Sequence, residues 1–225
     1  MQVQLVSQTV GVGKYAELGS EEIISAIARH GIIKEDNGKL IKYLMDNLHW
    51  SPLDMINFVF EIETSRAIGR QILRHKSMQF QEHSQRYSDK VEFEPIELRK
   101  EHPTNRQSST ELYDPEFTLA VAFGNITGNA SSMIQGTLSA VQHMYNLLIE
   151  AGVAKECARM ILPECTKTTL TVNGTLRSWL SFLNVRMDEH SQKEIRLIAE
   201  EIGNELESEL PNVFKQIDWK KGLFM

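Results

Sequence analysis

Asn57-Phe58-Val59-Phe60-Glu61-Ile62-Glu63 is rich in β-formers and reads as a strand. It runs straight into Thr64 and Ser65, either of which suits the cap of a helix. In that helix Ile68, Ile72 and Leu73 fall on one side, and Gln71, Arg74 and His75 share the other, because residues three and four apart are helix neighbours. A strand feeding directly into a helix makes a rigid scaffold, and rigid elements hold a site tightly. Past His75 the apolar pattern stops. Ser77, Gln79, Gln81, Glu82, Ser84, Gln85 and Arg86 follow, interrupted only by Met78, Phe80 and Tyr87, and the run reads as a ligand-facing loop.

Arg70, Arg74, Lys76 and Arg86 concentrate here in a chain whose formal net charge is -6, so local basicity runs against the global balance. Arginine forks match phosphate and carboxylate oxygens bidentately, which points to an anionic ligand. A charge run is ordinarily a solvated, salt-bridged face. Such a face does not need His75, His83, Tyr87 and a ladder of amides and hydroxyls among its cations.

No low-complexity linker divides the 225 residues, so a single domain spanning 1–225 is expected. With 41% hydrophobic and 24% charged residues the composition is that of a globular protein. The acidic balance argues against a nucleic-acid coat protein, so any nucleotide bound is small. No signal peptide or apolar run of membrane length is present, which predicts a cytoplasmic protein away from membranes, with reduced thiols. Cys157 and Cys165 do not have the spacing of a zinc site, no metal is called for, and both are expected to be buried and inert.

Met1 to Val10 reads as a strand. Ser20 caps a helix that Gly31 ends, Lys39 to Leu48 forms a second, and Ser51-Pro52 has the form of a helix start with Ser51 as its cap. Lys90 to Asp114 is polar and reads as strand fragments and exposed loop. A long helix spans about Ala130 to Ala151, with Ile134, Leu138, Val141, Met144, Tyr145 and Leu148 on its stripe, its methionines filling core, and Gly152 as its stop. Ala154 to Ile161 is a short helix carrying Arg159. From about Thr175 another helix sets Arg177 and Ser181 on one face and ends at Arg186. His190, near a helix junction, reads as structural.

Two segments together resemble the flavin-dependent thymidylate synthases. Arg74-His75-Lys76, seven residues, then Ser84 and Gln85-Arg86-Tyr87 is similar to that family's Arg-His-Arg, seven residues, Ser, with Arg-Tyr close behind. Lys76 departs from the family's arginine, keeping the charge and losing the fork. Gly174-Thr175-Leu176-Arg177-Ser178-Trp179, a spacer, Arg186 and then Gln192-Lys193-Glu194-Ile195-Arg196 resemble its Gly-Thr-Leu-Arg-Ser-Trp, Leu-Arg and Gln-x-Glu-Ile-Arg. Smaller likenesses lie at His49 to Asp54, where aspartate replaces a glutamate, at Asn105 to Ser109, and at Ala158-Arg159 before Leu162-Pro163.

The resemblance implies an α/β (α+β) fold, a small mixed or antiparallel sheet packed against a layer of long helices. It implies a homotetramer with shared active sites that methylates dUMP at C5 to dTMP, using methylenetetrahydrofolate as carbon donor and NADPH to reduce bound FAD. FAD contacts are implied at Ser51, Arg74, His75, Lys76, Glu82, Thr175, Leu176, Arg177 and Ser181. Contacts to dUMP are implied at Gln71, Arg74, Glu82, Ser84, Gln85, Arg86, Arg159 and Arg186, with Arg159 reaching a neighbouring subunit's nucleotide.

The residue chemistry agrees with that division. Gln71, Arg74, Ser84, Gln85, Arg86 and Arg159 supply phosphate donors. A guanidinium at a pyrimidine's N3 or O4 stabilises the ionised ring as charge develops, a role that suits Arg186. Ser84 as a nucleophile would need a positioned base, so it is assigned to binding. A hydroxymethylating flavin enzyme, prompted by Lys76 and Asp54, and a non-catalytic nucleotide-binding module remain as alternatives.

Overall fold

A computed structural model describes residues 1–34, 37–86 and 90–222. In chain order the elements begin with β1 (Gln2–Gln8), α1 (Ser20–Ala28), α2 (Gly38–Asp46), β2 (Asn57–Ser65), α3 (Arg66–Ile72) and β3 (Gln79–Glu82). Two short pairs follow, β4 (Arg99–Glu101) with β5 (Ser109–Leu112) and β6 (Glu116–Val121) with β7 (Gly124–Asn129). The chain continues through α4 (Ala130–Glu150), α5 (Lys155–Ala158), β8 (Lys167–Thr175), α6 (Leu176–Arg186), α7 (Lys193–Glu209) and α8 (Pro211–Phe214). The fold is mixed α and β, with small sheets and a set of longer helices. Its residues fall into two compact units: 1–63, 68–82 and 169–225 in one, 64–67 and 83–168 in the other.

The first unit is built on the sheet ordered β1-β2-β8-β3, in which β1 pairs antiparallel with β2 and β3 antiparallel with β8. Alternation along β2 buries Phe58, Phe60 and Ile62, and along β8 it buries Leu170 and Val172, as a two-residue period requires of a half-covered sheet. Helix α6 adds Leu176, Trp179, Leu180, Phe182 and Leu183 to this core, and α7 adds Ile195, Ile198, Ala199, Ile202 and Leu206 at helical spacing. Trp179 packs edge-on to Phe60 and donates its indole N–H to the Phe58 carbonyl at 3.1 Å, so one side chain ties helix to strand. A Cβ on Gly203 would lie 2.1 Å from the Trp219 ring, so only glycine lets that indole seat on α7. The Glu21 carboxylate accepts hydrogen bonds from Asn212 and from the Val213 N–H, fastening α1 to the C-terminal turn.

In the second unit the Asp114 carboxylate takes the Ser131 N–H at 2.9 Å, satisfying a free amide at the start of α4. Hydrogen bonds from the Ser131 hydroxyl and then from its N–H hold the carboxyl below its usual range. Gly152, at φ +81, stops that helix.

Several expectations are corrected. Gly19 precedes α1 as its cap and Ser20 is its first residue; the Gly19 N–H is taken by the Glu22 carboxylate. Ser51 lies inside a 3-10 turn, Ser51–Met55, whose cap position is Trp50, already helical and without a side-chain capping bond. The run past His75 is partly strand, since β3 pairs with β8. On α4 only Ala130 and Tyr145 are fully buried, and Met144 is half exposed, so its methionine is not core. Cys157 is exposed, because the single turn of α5 has no broad face to bury, whereas Cys165 is partly covered.

Candidate active site

Helix α6 carries Arg186 at its last turn, where the helix dipole favours a cation. Its Nε–H donates to His75 Nε2 at 3.0 Å, and Nη2 donates to the Gln71 carbonyl at 2.8 Å. The end of α6 is thereby locked onto the end of α3. Since the arginine nitrogen can only donate, His75 Nε2 must accept and the imidazole proton sits on Nδ1. Burial, and then the Arg186 charge, pull His75 down to about 4, so the ring is neutral near pH 7. The ring also packs against Phe182 at 4.9 Å between centroids. Burial, and then the like charge of Arg74, pull Arg186 below its usual range. Two guanidinium groups held near one another create a field that a bound anion relieves.

A second network lies at the other end of α6. Thr175 caps the helix by accepting the Ser178 N–H at 3.2 Å, and its hydroxyl donates to Asp54 at 3.2 Å. Arg177 pairs with the other oxygen of Asp54 at 3.2 Å, and the Ser178 hydroxyl reaches the Ser77 carbonyl. This network joins the Ser51–Met55 turn and the segment after α3 to the start of α6. Ser51, Arg74, Lys76, Glu82, Arg177 and Ser181 are exposed, and His75 and Thr175 are partly so. Leu176 is wholly buried and gives its N–H to the Ile56 carbonyl, so its side chain serves packing.

Among the sequence-predicted dUMP contacts, the first unit therefore joins Gln71 to Arg186, and Arg74 acts on Arg186 through its charge. In the second unit Ser84 accepts the Arg86 N–H, and Gln85 accepts from Arg66 at 3.0 Å. Arg86 pairs at 3.4 Å with Glu156 on α5, and the turn directly after α5 begins with Arg159, half-buried. Tyr87 lies outside the described residues. His190 is exposed and bonded to Asp188. Among the described residues no group of three His, Cys, Asp or Glu side chains could hold a metal, and no helix is long and apolar enough to cross a membrane.

Gln192, which had no assigned role in the sequence, is bonded to Gln71. Its amide accepts from Gln71 Nε2 and donates to Glu194, both at 2.8 Å. The only signal for it was its place in the Gln-x-Glu-Ile-Arg run.

Comparison with known proteins matches residues 11–212 to the family model described as thymidylate synthase complementing protein. A flavin-dependent thymidylate synthase from Synechocystis is 35% identical over 206 residues, 90% of this chain and 91% of that protein. A probable flavin-dependent thymidylate synthase of Paramecium bursaria Chlorella virus 1 is 33% identical over 225 residues, 97% of this chain and 100% of the viral one. One from Kosmotoga olearia is 31% identical over 183 residues, 80% and 76% of the two chains.

Proposed function

The chain belongs to the family of the thymidylate synthase complementing protein, the flavin-dependent thymidylate synthases, and we propose that it converts dUMP to dTMP with methylenetetrahydrofolate, NADPH and FAD. The observation that carries this is the Arg186–His75–Gln71 cluster, which holds a partly buried guanidinium on a neutral imidazole and beside a second arginine.

The donor set of the first unit fits FAD. Arg74, Lys76 and Arg177 are exposed cations suited to a diphosphate, and Ser51, Thr175, Ser181 and neutral His75 offer hydrogen bonds to ring and ribose atoms. Glu82 and the backbone at Leu176 complete the proposed set. Held by these residues and reduced by NADPH, FAD would supply hydride chemistry for the transferred one-carbon unit.

The chain's own residues prepare the pyrimidine. Arg186 stabilises negative charge at N3 and O4, which raises electron density at C5 without a covalent nucleophile. With Nε and Nη2 fixed by His75 and Gln71, the guanidinium is held before the ligand arrives and needs no reorganisation. Ser84, Gln85, Arg86 and Arg159 take the phosphate, alongside Gln71, Arg74 and Glu82 on the nucleotide. We place the chain in a homotetramer with shared sites, as a single catalytic domain acting in the cytoplasm. In support of assembly, the β6–β7 hairpin exposes Phe117, Leu119, Phe123 and Ile126, and α4 exposes Met144 and Leu147.

The test is the visible spectrum of the purified protein with FAD, before and after dUMP. A flavin band that shifts on adding dUMP is expected. No flavin uptake at any concentration would remove the redox mechanism.

A further inference from the structure

Arg66 opens α3. Its backbone N–H donates to the Thr166 carbonyl at 2.9 Å, and the next N–H, of Ala67, to the Glu164 carbonyl at 3.1 Å. The side chain therefore starts from a point fixed within the second unit. Its Nη1 donates to Gln85 Oε1 at 3.0 Å, and both side chains are half-buried. A guanidinium has hydrogens to give and no lone pair to offer, so the carboxamide oxygen must be the end of Gln85 that meets Arg66. The NH2 of Gln85 is the end left over, with no partner among the described residues.

The residues on either side carry the same polarity. Ser84 Oγ accepts the Arg86 N–H at 3.3 Å, which occupies a lone pair of the hydroxyl and leaves its hydrogen to donate. Arg86, whose Nη2 reaches Glu156 at 3.4 Å, can only donate. Gln85 and Arg86 lie in a turn, where the two-residue alternation of a strand does not force neighbouring side chains apart. A phosphate monoester is largely a dianion near pH 7, with three terminal oxygens that all accept. Hydroxyl, carboxamide NH2 and guanidinium are its complement, whereas a carboxamide turned the other way would set an oxygen against it and leave both groups unpaired. Arg66 removes that wrong orientation before a ligand arrives.

We propose that Arg66 is a positioning residue that holds the Gln85 carboxamide with its NH2 available to the nucleotide's phosphate. The proposal rests on the dUMP assignment above, and it gives Arg66 itself no contact with the ligand.

The experiment measures equilibrium binding of dUMP, and of deoxyuridine, which lacks the phosphate, to the purified protein with FAD. Arg66→Met, Gln85→Met and the double variant are compared with the wild type, a single cooperative urea transition marking each as folded. Arg66→Met is expected to weaken dUMP about tenfold, the worth of one charge-assisted hydrogen bond, while deoxyuridine stays within about twofold. Gln85→Met should do the same. Because Arg66 acts through Gln85, the losses should not add, and the double variant should bind dUMP within about twofold of Gln85→Met. Additive losses would mean that Arg66 acts on the phosphate by contact or by charge alone, and they overturn the proposal, as does an unchanged dUMP affinity in Arg66→Met. Equal weakening of dUMP and deoxyuridine would make Arg66 merely structural and overturns it too. Should Arg66→Met not fold, Arg66→Gln, whose amide can donate or accept, is expected to show the same phosphate-dependent loss, and the absence of that loss overturns the proposal. All of these results leave the dUMP assignment standing. A folded wild type that binds neither ligand overturns both.

Discussion

Acidification from about pH 6.5 to about pH 4 is expected to remove up to about 3 kcal/mol of folding stability through His75 alone, the part-exposed ring losing some of that to solvent screening. The ring drops from 6.5 in the unfolded chain to about 4 when folded, and each pH unit of difference is worth about 1.4 kcal/mol. The sign follows from proton binding. Between the two values the unfolded chain holds a proton that the folded one refuses, so falling pH favours unfolding. Above about 6.5 both states are neutral at His75 and its contribution is constant; below about 4 both are charged and no more is lost. The chain has 7 histidines, so the contribution of this one must be read by difference, and Asp114 and Asp188, held low by hydrogen bonds, act below this range. The assay is therefore urea unfolding of the wild type and of His75→Gln across this range, read as the difference between the two curves. That difference should fall by up to about 3 kcal/mol toward low pH, and the His75 ring resonances should titrate well below the ordinary histidine value. A flat difference curve, with His75 titrating near 6.5, would mean that the ring is neither desolvated nor held against Arg186.

Arg186→Ala should abolish dTMP formation while NADPH still reduces the flavin; equal failure of both half-reactions, measured by flavin bleaching and product yield, would contradict the pyrimidine role. Gly203→Ala places a Cβ against Trp219 and is expected to cost about 1–3 kcal/mol by overpacking, read as a lower urea midpoint with unchanged slope. Thr175→Val removes the cap of α6 and the bond to Asp54, costing about 1 kcal/mol in stability and weakening FAD affinity, both measurable by titration.

A strand starting at Asn57, the helix Ala130–Glu150 and the helix ending at Arg186 were legible in the sequence because each carries a run of its own period, although the strand runs on through Thr64 and Ser65, expected as caps, and α3 ends at Ile72, short of Arg74 and His75. β8 was not. Only Leu170 and Val172 mark its buried face, and Thr168 and Gly174 occupy the other covered positions, so alternation is weak although the strand lies inside the sheet. β3 was read as loop because Phe80 is its single apolar residue; its strand form depends on pairing with β8, some ninety positions away. Burial along α4 was overstated for a related reason. Periodicity shows that a stripe exists and says nothing of what covers it. In the site, Arg74, His75 and Arg186 could be named from their motifs, but the neutrality of His75 depends on Arg186, which is distant in sequence. The polarity of Gln85 likewise depends on Arg66, and hydrogen-bond direction is a property of geometry that spacing does not encode.

The most direct measurement is mass spectrometry of the nucleotide product after incubating the FAD-loaded protein with dUMP, NADPH and isotopically labelled methylenetetrahydrofolate. A labelled methyl group at C5, with folate released as tetrahydrofolate, is the predicted result. A labelled hydroxymethyl group would assign this scaffold to a different reaction, and unchanged dUMP alongside reduced flavin would contradict the proposed methyl transfer outright.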